Sequence, residues 1–159
     1  MAGTHPLLSL AACVGVCFLT VAIPTFFTDT SPGQWYASLH KPSWNPPNWV
    51  FSPVWTVLYL MMGIALWLVW RERGLSGAPL AYAVFALQLA LNSAWSWLFF
   101  TLHSPAAALA DIALLWAAIV GTLVLFWPVS ATAGVLLVPY LTWVSFASGL
   151  NYALWRMNR

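Results

Sequence analysis

Three sets of side chains fall on single helical faces and offer one kind of chemistry. Gln88, Asn92 and Trp95 recur at i, i+4 and i+7. Tyr140, Trp143, Ala147 and Asn151 recur at i, i+3, i+7 and i+11, and Trp55, Tyr59 and Met62 at i, i+4 and i+7. Indole and phenol rings present flat apolar faces, and an amide supplies both a donor and an acceptor. Brought together, they would form a slot that holds a flat molecule by stacking and a few hydrogen bonds. The amide face on Gln88 and Asn92 has two readings, interhelical hydrogen bonding and the polar wall of a cavity. Both can hold, because amides in apolar surroundings are costly until they find partners.

Covalent chemistry has no comparable support. His5, His40 and His103 lie at the edges of apolar runs or in connections, and no nucleophile–base pair, metal-ligand spacing or phosphate loop stands out. The sequence therefore does not read as a dedicated enzyme, and it calls for no cofactor. Cys13 and Cys17 are four apart, poorly spaced for a disulfide within one helix, and read as small apolar residues. With no His well inside an apolar run, any tetrapyrrole would be held by shape and stacking. Asp111 is the one acid well inside such a run. Lacking a second acid or a buried base to relay protons, it is expected to hydrogen-bond within the fold.

These residues must be positioned by elements that cross a membrane. Hydrophobic types make up 62% of the 159 residues and charged types 5%, against roughly 25% charged in ordinary globular domains. The fold class expected is all-α, a single bundle of five transmembrane helices over residues 7–27, 50–70, 80–102, 106–127 and 134–155. The breaks carry turn chemistry: TDTSPG, RERGLSGAP, HSP and PVSA. Short connections imply that consecutive helices are antiparallel neighbours. Pro53 is expected in the first turn of its helix, where proline costs little. A net charge of +2 is too small and too scattered for nucleic acid. Lys41, Arg156 and Arg159 outnumber Arg71 and Arg73, a margin of one residue that favours a cytoplasmic C-terminus.

One segment stands apart. LHKPSWNPPNWVFSPVW, residues 39–55, packs four prolines and three tryptophans against the start of a long apolar run. Indoles suit the headgroup layer, and prolines fold an irregular segment before a helix enters the hydrocarbon. Near the C-terminus, Leu150, Tyr152 and Arg156 fit the loose sterol-recognition pattern L/V-x-Y-x-K/R.

WYASLHKPSWNPPNWVFSPVW followed by LY, then QLALNSAW, then VPYLTWVSFASGLNYALWR, in this order, resemble the tryptophan-rich sensory protein family (TspO). That family is also called translocator protein or peripheral benzodiazepine receptor, and the likeness covers about residues 35–156. The resemblance implies a five-helix, often dimeric membrane bundle with a pocket under its first loop. It implies binding of tetrapyrroles such as protoporphyrin IX, or of other lipophilic small molecules. On this sequence, Trp55 and Trp143 match pocket tryptophans, and Trp35 and the WNPPNW segment ending at Trp49 match the capping loop. Asn92 and Trp95 match the wall on the third helix, and Ala147 a small residue beside the pocket. Tyr152 and Arg156 match the sterol-recognition segment. The functions implied are sensing by ligand binding, with transport of porphyrins or light-dependent porphyrin breakdown as alternatives. A homodimer in the membrane of a bacterial cell envelope, in contact with lipid, is the expected setting.

Overall fold

The computed structural model describes residues 5–27 and 34–159, apart from the side chains of residues 21, 23–27 and 34. The expected TDTSPG turn at residues 28–33 lies outside the described residues. The described residues are mostly helical, with no strand. The elements are α1 (Pro6–Phe27), a short α2 (Gln34–Ser38), α3 (Asn48–Arg73), α4 (Pro79–Ser96), α5 (Pro105–Phe126) and α6 (Ala131–Met157). A π-helical turn, Trp97–Thr101, extends α4. Helices α3, α4 with its π turn, α5 and α6 are each long and apolar enough to cross a bilayer, and α1 is apolar over Pro6–Thr20. Leu19, Val57, Leu87, Leu114, Val124 and Val138 are exposed on the outside. Helices that are apolar on their outer faces as well as towards one another are built for lipid. The protein is an integral, multi-pass membrane bundle.

Local chemistry sets the helix ends. Ser104 and Ser130 each cap a helix by accepting from the backbone N–H three residues on, at Ala107 and Ala133. Pro79 and Pro105 open α4 and α5, where a missing N–H costs nothing. Helix α3 starts at Asn48, two residues earlier than the sequence implies. Pro53 therefore sits in the second turn, and the Trp49 carbonyl loses the N–H it would otherwise accept from.

The five long helices close into a ring in the order α1, α3, α6, α5, α4 and back to α1. This corrects the expectation that every sequence neighbour is a spatial one. Helices α3 and α4 are not ring neighbours, because the connection 74–78 can reach about 17 Å when extended and α1 lies between them. Gly63 lets α1 approach: a Cβ there would stand 2.6 Å from Val14 Cα. One end of the ring is solidly packed by Met62, Val69, Phe85, Ile119, Phe126 and Leu137, with Phe85 and Phe126 stacked at 5.6 Å. The other end, enclosed by the start of α3 and the ends of α4 and α6, is hollow.

Candidate functional site

The hollow has a volume of about 560 Å³, within the roughly 300–1,000 Å³ of small-molecule sites. Its walls are mostly aromatic. Helix α3 contributes Phe51, Trp55 and Tyr59, the end of α4 Trp95, the π turn Phe99 and Phe100, and α6 Trp143. Trp55 stacks on Tyr59 at 5.5 Å and meets Tyr140 edge-on at 6.3 Å. Trp95 stacks on Phe99 at 5.2 Å, and Phe51 meets Trp143 edge-on at 5.8 Å. Such contacts lock the rings against one another, so the slot exists before any ligand arrives.

Two amides tie the walls together. Tyr59 Oη donates to Asn92 Oδ1 at 2.7 Å, and Asn92 Nδ2 donates to Tyr140 Oη at 2.8 Å. Trp95 Nε1 donates to Asn151 Oδ1 at 2.9 Å, and Asn151 Nδ2 donates to Pro105 O at 2.8 Å. The first set joins α3, α4 and α6; the second joins α4, α6 and the start of α5. Both readings of the amide face thus describe Asn92, which lines the hollow while its polar atoms serve the helix bridge. The lining also includes Asn48, Ser52 and Thr56, a row at i, i+4 and i+8 on α3, with Ser93 and Ser96 on α4; the Thr56 and Ser93 hydroxyls donate to Ser52 O and Thr20 O. None of the described lining residues is charged or a histidine.

The expected residues divide between wall, floor and exterior. Trp55, Tyr59, Asn92, Trp95, Trp143, Ala147, Leu150 and Asn151 line the hollow. Tyr140 is fully buried behind it. Gln88, also buried, lies a turn deeper than Asn92, with Nε2 3.7 Å from Met62 Sδ and Oε1 without a partner. Trp35 backs the wall, stacking on His103 at 4.3 Å and meeting Phe99 edge-on at 5.6 Å. Trp49 is 74% exposed and off the lining. As the second residue of α3 it projects away from the bundle, on a different face from Asn48 and Ser52. Tyr152 and Arg156 are exposed and bonded to each other at 3.1 Å, whereas Leu150 faces inward. The sterol-like triplet is thereby split across two sides of α6. The Asp111 carboxylate is buried, and Oδ2 has no hydrogen-bond partner, contrary to the sequence expectation.

The proline–tryptophan segment, residues 39–47, borders the mouth; Tyr36 before it and Asn48 after it belong to the wall. It is clasped to the end of α6 by one side chain. Asn158 Oδ1 accepts from His40 N at 2.8 Å, and Asn158 Nδ2 donates to His40 O at 2.9 Å and Leu154 O at 2.8 Å. Tyr36 Oη donates to Asn45 Oδ1 at 3.4 Å. Burial raises the Tyr36 phenol above its ordinary range, and that hydrogen bond offsets part of the rise. The ring therefore stays neutral at physiological pH.

Several wall residues escape the sequence reading. Asn48, Phe51 and Ser52 continue the Trp55–Tyr59 face towards the N-terminus, so extending that stripe by two turns finds them. Phe99 and Phe100 stand four residues beyond Trp95 and Ser96, so extending the Gln88–Asn92–Trp95 stripe by one turn finds them as well. Tyr36 sits on a short helix that carries no periodic signal.

The TspO/MBR family model matches residues 13–156. The chain is 46% identical over 156 residues to the tryptophan-rich protein TspO of Chlorobaculum tepidum, covering 96% of this chain and 97% of that protein. It is 44% identical over 132 residues to protein CrtK of Rhodobacter capsulatus, covering 80% and 81%. It is 45% identical over 127 residues to the translocator protein of Homo sapiens, covering 79% and 75%. With a match along nearly its whole length and a hollow five-helix bundle to go with it, this chain belongs to the TspO/MBR family.

Proposed function

We propose that the protein is a membrane receptor that takes a flat hydrophobic molecule, a tetrapyrrole of the protoporphyrin IX kind, into its aromatic hollow. The observation that carries this is the convergence of Trp55, Trp95 and Trp143 from three helices on one space of about 560 Å³. A ligand there is held by ring stacking and apolar burial, with hydrogen bonds open to it from Ser52 and Ser96. The chemistry proposed is sequestration by stacking and burial among these rings. A homodimer, also implied by the resemblance, belongs to the same proposal.

Tryptophan fluorescence tests the reading. Protoporphyrin IX titrated into protein in lipid nanodiscs should quench emission saturably, and Trp143→Ala should weaken the affinity roughly tenfold. Emission that stays unchanged in both lipid and detergent would overturn it.

A further inference from the structure

The described residues of the wall carry no charge, but a fixed cation sits against one of them, on the segment that borders the mouth. Lys41 Nζ lies 4.8 Å from the centre of the Tyr36 ring, and Tyr36 is part of the wall. The ammonium donates to Ala37 O and Leu39 O, both at 3.2 Å. Those bonds pin the long side chain over the ring and leave one of its three protons unused. Among the described residues no carboxylate pairs with Lys41; the ion pair they contain is Arg71–Glu72, at the opposite end of α3. Arg156 and Arg159, at the same end of the bundle, lie against Tyr152 and Trp155 on α6 and not against a residue of the wall.

A guest that carries an acid faces two environments here. Inside, the carboxylate would lose hydration with no counter-ion to replace it. At the mouth, a pre-positioned ammonium offers a charge-assisted hydrogen bond, while the apolar body of the guest can still lie among the rings. We propose that Lys41 anchors a carboxylate on the edge of the bound molecule. The site then selects flat amphiphiles that enter apolar end first and keep their acid group at the surface. This rests on the ligand-binding reading above and adds the polarity and orientation of the ligand.

The test compares protoporphyrin IX with its dimethyl ester, by fluorescence quenching in nanodiscs of zwitterionic lipid. The native chain should bind the acid about tenfold more tightly than the ester, and the preference should shrink as salt rises. Lys41→Met should abolish the preference while leaving ester affinity within about twofold; Lys41→Arg should keep it. Arg73→Gln, at the far end of the bundle, should change neither. Equal binding of acid and ester by the native chain, as expected if Lys41 serves lipid phosphate instead, overturns the anchor and leaves the hollow as a binding site. So does equal loss of both ligands in Lys41→Met. Failure of both ligands to bind the native chain would remove the cavity reading and this one with it.

Discussion

Asn92 shows how one side chain serves both architecture and site. Its carbonyl accepts from Tyr59 and its amino group donates to Tyr140, so three helices meet at a single amide. Asn92→Ala removes both bonds and strands two phenols in apolar surroundings. A loss of about 2–4 kcal/mol is expected, read as a lower melting temperature in detergent. Loss of ligand affinity should accompany it, because Tyr59 would no longer be fixed against Trp55. The residue types on this face were legible in the sequence. Which of them would spend their polarity on the fold was not, since that depends on partners 33 and 48 residues away along the chain.

At the scale of elements, the ring depends on where backbones come close. Gly63 sits where α3 meets α1, and an added methyl would collide with the Val14 backbone, which cannot swing aside. Gly63→Ala should destabilise by about 1–3 kcal/mol. Gly15→Ala, with open space at its Cβ, should stay within about 0.5 kcal/mol; thermal unfolding of the two variants side by side checks the pair. Gly63 is thereby accounted for inside one chain and is not left over as a surface for pairing two. The π turn has a different role. It carries Phe99 and Phe100 one turn beyond Trp95 and Ser96 and so continues the aromatic wall past the end of α4.

Across the whole molecule, the open and packed ends of the bundle divide the labour. The packed end holds the ring together, and the hollow end keeps space for a guest at the cost of cohesion. The mouth is steadied by the Asn158 clasp on His40, which joins the segment before α3 to the last residues of the described chain. Asn158→Ala should leave the bundle folded but free that segment. Ligand dissociation is expected to quicken about three- to tenfold in stopped-flow quenching, with a smaller change in association. An unchanged dissociation rate would mean that the segment is held by its prolines and ring contacts alone.

The sequence by itself determined the class of the molecule, its long helices to within a few residues and the chemical character of the site. Those properties follow from composition, apolar run length and helical spacing, all of which act locally. Tertiary structure decided what local patterns cannot contain. It set the ring order that separates α3 from α4 and placed Tyr36 in the wall, while Trp49 was left outside. It also withdrew Gln88 to the floor and put Lys41 at the mouth of the hollow. The physical reason is that lipid makes every helix apolar on all sides, so hydrophobicity no longer marks which face turns inward. Only packing, hydrogen-bond partners and close backbone approach make that choice.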